Sequence, residues 1–103
     1  MATQKLREKV SLITGAGSGM GRASAILFSK KGAKVAVVDI DSKGGNQTVN
    51  LVKQDGKEAF FVQADVSKAK DAEGMIKSTI DKYGRLDILY NNAGIPLAAS
   101  ASM

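Results

Sequence analysis

Four glycines, Gly15, Gly17, Gly19 and Gly21, follow directly on the β-type run Val10–Thr14. A helical pattern starts at Met20 or Gly21 and runs to Lys31. Strand, glycine bend and helix together present the N–H groups of a first helical turn. Those groups have no intrahelical acceptor and carry partial positive charge, so a pyrophosphate suits them. Glycine serves there because a Cβ would block close approach or forbid φ > 0. The spacing departs from the common G-x-G-x-x-G fingerprint, whose third glycine would fall at Met20. It reads instead Thr14-Gly15-x-x-x-Gly19-x-Gly21. The plainer alternative is a glycine-rich turn with no ligand.

A carboxylate stands twenty residues after Gly19: Asp39, at the C-terminal end of the run Val35–Asp39. In a dinucleotide-binding fold an acid there accepts both hydroxyls of the adenosine ribose and repels a 2′-phosphate. Ile40, Asp41 and the neutral Ser18 bring no cation to offset it. The pattern therefore favours NAD over NADP, with Asp41 reserved for capping the next helix. Asp65-Val66 closes a third apolar run, and Asn91-Asn92-Ala93-Gly94 follows a fourth. The chain has neither cysteine nor histidine, which removes disulfides, thiolate chemistry and the usual zinc ligands; no metal site is expected.

These residues need a scaffold, and the hydrophobic pattern supplies one. Strands are expected at Val10–Thr14, Val35–Asp39, Glu58–Ala64 and Leu86–Asn91. The first helix, ending at Gly32, should turn Ala23, Ile26, Leu27 and Lys30 to one side, with small Ala23 letting it lie close to the sheet. A second helix spans about Gly45 to Gln54, with Gly44 and Gly45 as poor helix formers and Val49, Val52 and Lys53 as a partial stripe. In the third, Ala72, Met75, Ile76, Thr79, Ile80 and Tyr83 form the core face; Ser67 is its expected N-cap and Gly84 its stop. Alternating strands and helices predict an α/β, Rossmann-like three-layer βαβαβαβ fold with a parallel sheet in the order 3-2-1-4. Residues 1–103 read as one dinucleotide-binding domain, with 95–103 a loop or frayed tail. Gly15–Gly21, Asp39, Asp65 and Asn92–Gly94 then converge at the C-terminal strand ends.

Composition narrows the function classes. Apolar residues make up 44% and charged residues 24%, ordinary for a globular domain. The net charge is +5, but the cations are dispersed among acids and no aromatic-basic stripe accompanies them, so no nucleic-acid partner is expected. The N-terminus carries no apolar stretch, so neither a leader nor a membrane partner is expected and the location reads as cytoplasmic.

With Thr14-Gly15-x-x-x-Gly19-x-Gly21, Asp39, Asp65-Val66 and Asn91-Asn92-Ala93-Gly94 in place, the chain resembles the N-terminal half of a short-chain dehydrogenase/reductase. The resemblance covers nearly all of residues 5 to 95. It implies an oxidoreductase that moves a hydride between a nicotinamide cofactor and a small alcohol or carbonyl substrate, and a homo-oligomer. It also implies that Gly15, Ser18, Gly19, Met20 and Gly21 border the pyrophosphate and that Asp39 and Ile40 meet the adenosine ribose. Asp65 and Val66 would flank adenine, and Asn92, Ala93 and Gly94 would border the nicotinamide-side ribose. The family's chemistry also needs a serine and a Tyr-x-x-x-Lys. Here Tyr83 is followed four residues on by Asp87, and Tyr90 by Gly94, so no catalytic residue is assigned. The expectation is an incomplete doubly wound domain, a fragment that is marginally stable or self-associates. Two rivals stay open: a methyl-transfer domain using S-adenosylmethionine, which also wants G-x-G-x-G and an acid after the second strand, and a non-catalytic binding module.

Overall fold

The computed structural model describes residues 5–93. Seven elements follow in strict alternation: β1 (Val10–Thr14), α1 (Gly19–Lys30), β2 (Lys34–Asp39), α2 (Ser42–Gln54), β3 (Ala59–Gln63), α3 (Ala69–Tyr83) and β4 (Ile88–Asn91). All strands are parallel, in the order β3-β2-β1-β4, a Rossmann-like sheet. Register aligns Thr14 with Val38 and with Asn91, and Asp39 with Gln63, so the strands end together along one edge.

Alternation along each strand divides the core. Leu12, Ala36 and Val38 face Ala72 and Met75 of α3. On the other face Ile13, Val35 and Val37 meet Ala25 of α1 and Val49 and Val52 of α2. Val35 to Val38 are fully buried, as parallel strands covered on both faces should be. The hydroxyl of Ser11, also fully buried in β1, has no hydrogen-bond partner among the described residues.

The helices depart from expectation in instructive ways. In α1 the buried residues are Gly21, Ala25 and Ser29, not Ala23, Leu27 and Lys30. The i, i+4, i+8 row of smallest side chains faces the sheet and brings the helix close to it, which leaves Leu27 half exposed. In α3, Ala72, Met75 and Thr79 are buried as expected, but Ile80 is 44% exposed at the margin of the stripe. Ser67 does not cap α3; Lys68 occupies that position without a side-chain bond. Gly84 ends α3 in the left-handed conformation, φ 83°.

α2 begins three residues before the expected Gly45, because Asp41 caps it by accepting the Lys43 amide at 3.1 Å. Its stripe is Gly44, Gly45, Thr48, Val49 and Val52; Lys53 points to solvent. The two glycines that weaken α2 by propensity are what let it dock. A Cβ on Gly44 would lie 2.6 Å from the Gly17 carbonyl oxygen, and one on Gly45 would meet the Phe61 ring. Replacing Gly44 with Ala should therefore destabilise the fold by about 2 kcal/mol, despite alanine's better helix propensity. Urea unfolding of the variant beside the wild type measures this, and unchanged or increased stability contradicts it.

Candidate functional site

The glycine bend, residues 15–18, joins the end of β1 to α1 at the level edge of the sheet. Gly15 (φ 65°) and Gly19 (φ 55°) occupy the left-handed region. Gly21 is needed for another reason: a Cβ there would sit 2.0 Å from the Gly15 carbonyl oxygen. Two amides of the bend turn inward, Ala16 onto the Val38 carbonyl at 3.1 Å and Gly17 onto Asp39 Oδ2 at 2.8 Å. The bend itself thus spends two amides on protein acceptors, and the unpaired N–H groups expected of the first helical turn begin after Gly17. The amides of Ser18, Gly19, Met20 and Gly21 have no protein acceptor among the described residues. Ser18, Gly19 and Met20 are exposed, Met20 to 73%.

Asp39 therefore lies against the bend. Its Oδ1 accepts the Asp41 amide at 2.9 Å, and the residue lines a cleft of about 310 Å³. The cleft is lined by Gly15, Val38, Asp39, Ile40, Ala64, Asp65, Val66 and Ala93. Of the residues expected to form a site, Gly15, Asp39, Ile40, Asp65, Val66 and Ala93 thus share one cavity. Ser18, Gly19, Met20, Gly21 and Asn92 do not line it; the first four carry the free amides beside it. Gly94 and the expected tail 95–103 lie outside the described residues.

The segment after β4 is tied to the bend. Thr14 Oγ1, fully buried, donates to Asn91 Oδ1 at 2.8 Å and accepts the Ala93 amide at 3.2 Å. Asn92 Nδ2 donates to the Gly15 carbonyl at 3.4 Å. Behind the bend, Arg22 donates to the Gly17 carbonyl at 2.6 Å and to Thr48 Oγ1 at 2.9 Å, while Thr48 donates to the Ala16 carbonyl at 2.7 Å. Gly17, Arg22, Gly44 and Thr48 are parts of the site that motif reading passes over. An arginine beside the third glycine was the one available signal, and its partners across the fold have none in sequence.

Asp65 sits on the loop between β3 and α3. Its carboxylate accepts the Ser67 hydroxyl at 2.6 Å and the Ser67 amide at 3.0 Å, while its own amide donates to Asp71 Oδ2 at 2.8 Å. Ser67 thus closes an Asx turn rather than capping α3. Those two bonds from Ser67, hydroxyl first, hold the Asp65 carboxyl below the usual carboxylate range, with Lys68 adding a little. Among the described residues no three acids cluster as a metal site, and no helix is long and apolar enough to cross a membrane.

The family model described as short chain dehydrogenase matches residues 9–103. An uncharacterized oxidoreductase of Thermotoga maritima is 56% identical over 87 residues, covering 84% of this chain and 34% of that protein. The short-chain dehydrogenase/reductase homolog YusS of Bacillus subtilis is 42% identical over 88 residues, 84% of this chain and 81% of YusS. A solved 7α-hydroxysteroid dehydrogenase, complexed with NADH and 7-oxo glycochenodeoxycholic acid, superposes with a TM-score of 0.82 at 35% identity, over 85% of this chain and 34% of that one. The chain spans about a third of the oxidoreductase and of the steroid dehydrogenase.

The Asx turn yields a pH prediction. A carboxyl whose folded value is depressed contributes stability above the ordinary carboxylate range, and loses it as pH falls through that lower value. Carbon-detected NMR titration should find Asp65 protonating at lower pH than an ordinary aspartate, and Ser67→Ala should move it back up. A wild-type Asp65 titrating in the ordinary range contradicts the geometry.

Proposed function

The chain belongs to the short-chain dehydrogenase family, and on that premise we propose that it is the NAD(H)-binding portion of an oxidoreductase. One observation carries the reading: Asp39 Oδ2 takes the Gly17 amide at 2.8 Å, so the only carboxylate of β2 abuts the bend with the free first-turn amides. A dinucleotide needs those two features side by side, amides for its diphosphate and an acid for its adenosine ribose.

The residues present fit such a group. Ser18, Gly19, Met20 and Gly21 would meet the pyrophosphate through backbone N–H groups, with Gly15 providing the close approach. Asp39 would accept the ribose hydroxyls, with exposed Ile40 beside it. Asp65 and Val66 would flank adenine on the far side of the cleft. Asn92 and Ala93, held to the bend through Thr14 and Gly15, would border the second ribose, with Gly94 continuing that segment. The nicotinamide, when bound, supplies hydride transfer. The described residues offer the binding half of that function, and no catalytic acid or base is assigned among them.

Asp39 supports NAD over NADP. A 2′-phosphate would be brought against the Asp39 carboxylate, whose two oxygens accept the Gly17 and Asp41 amides, with a second carboxylate on Asp41 close in sequence. We further propose a small alcohol or carbonyl as substrate and a homo-oligomer as the working state, both by analogy with the family. The steroid dehydrogenase bound to NADH is in keeping with the nicotinamide cofactor.

The test is titration of the chain with NADH, NADPH and S-adenosylmethionine, followed by amide NMR. NADH is expected to bind about tenfold more tightly than NADPH, and Asp39→Asn to narrow that ratio by removing the charge while keeping an acceptor for Gly17. A response to S-adenosylmethionine alone favours methyl transfer. Silence with all three favours a non-catalytic module or an unfolded fragment.

A further inference from the structure

The bend's inner surface carries a half-buried cation without a charged partner. Arg22 Nη2 donates to the carbonyls of Gly17 at 2.6 Å and Gly44 at 3.2 Å and to Gln47 Oε1 at 3.2 Å, and Nε donates to Thr48 Oγ1 at 2.9 Å. Every acceptor is neutral. The described ion pairs, Lys77–Asp81 and Arg85–Asp87, lie elsewhere. An arginine tying α1 to α2 for stability alone would be better served by a carboxylate on α2.

The shortest of these bonds falls on the Gly17 carbonyl. In a trans peptide the C=O of one residue and the N–H of the next point in opposite directions, and the described chain has no cis bond. Drawing the Gly17 oxygen toward Arg22 and α2 therefore aims the Ser18 N–H away from α2. The preceding peptide is held as well, by the Gly17 amide on Asp39. Thr48, fully buried, extends the clamp to the Ala16 carbonyl at 2.7 Å. Successive peptides of a glycine-rich bend, otherwise free to rotate, are thus locked from behind.

We infer that Arg22 is a positioning residue for the diphosphate of the bound nucleotide. It fixes the orientation of the Ser18 amide and leaves a positive charge behind the anion-receiving turn. The inference rests on the nucleotide reading above. It predicts that losing Arg22 harms recognition of a diphosphate selectively, because Asp39, Asp65 and Val66 do not depend on it for contact with adenosine.

The probes are ADP-ribose, which contains the diphosphate, and adenosine, which lacks it, titrated into the ¹⁵N-labelled full chain. Arg22→Met should weaken ADP-ribose about tenfold and leave adenosine within about twofold. Arg22→Lys, which keeps the charge but not the fork, should lose about threefold on ADP-ribose alone. Equal binding of ADP-ribose by Arg22→Met and wild type overturns the inference, and so does a parallel loss of adenosine, which marks a purely structural role. If Arg22→Met fails to fold, Arg22→Lys decides by the same comparison. A wild type that binds neither probe overturns the nucleotide reading and this inference with it. A wild type that binds both while the variants match it overturns the role of Arg22 alone.

Discussion

Backbone packed against backbone is the constraint on which the rest of this structure depends. α1 can start where it does only because Gly21 has no side chain to strike the Gly15 carbonyl, 2.0 Å from where a Cβ would stand. α2 can lie behind the bend only because Gly44 presents no Cβ to the Gly17 carbonyl. Gly21, Ala25 and Ser29 carry the same economy of volume down α1. Close approach brings the first-turn amides, the carboxylate of β2 and the segment after β4 together at one end of the sheet. Larger side chains would separate these parts by more than hydrogen bonds span.

Polar groups then convert proximity into a defined shape. Asp39 stabilises the bend through Gly17 and begins the α2 loop through Asp41. Thr14 joins the ends of β1 and β4 from a fully buried position, where an unpaired hydroxyl would cost about 1–3 kcal/mol. Arg22 and Thr48 close the rear. The result resembles a preformed site more than one that a ligand must assemble, since the bonds that orient it are internal.

Strand positions and sheet order were readable in the sequence because continuous apolar runs such as Val35–Val38 leave few other arrangements, and glycine punctuation marked where they ended. Asp39 was readable because its distance from Gly19 is set by one βαβ unit. What escaped reading has a common cause. The apolar spacing of α1 points to the face of Ala23, Ile26, Leu27 and Lys30, whereas the sheet takes the row of smallest side chains, Gly21, Ala25 and Ser29. Helix propensity places the start of α2 too late because it counts Gly44 and Gly45 as losses and takes no account of what they approach. Ser67 has the position of a cap for α3 in sequence, but Asp65, two residues back, takes its hydroxyl and its amide. The Arg22 clamp reaches Gly44 and Thr48, twenty-two and twenty-six residues away, and neither periodicity nor a local motif encodes such a pairing.

The interlock of Gly17 with Gly44 has a consequence for motion. A bend usually breathes on its own, opening far more often than the helices around it. This one is stitched to α2 through Gly44, Arg22 and Thr48, so releasing it means loosening the start of a helix anchored on β3. The bonded amides of the bend, Ala16 and Gly17, should therefore exchange with solvent deuterium only as α2 loosens, in step with Gly45 in its first turn, and random mutagenesis should find that turn as intolerant as the bend itself.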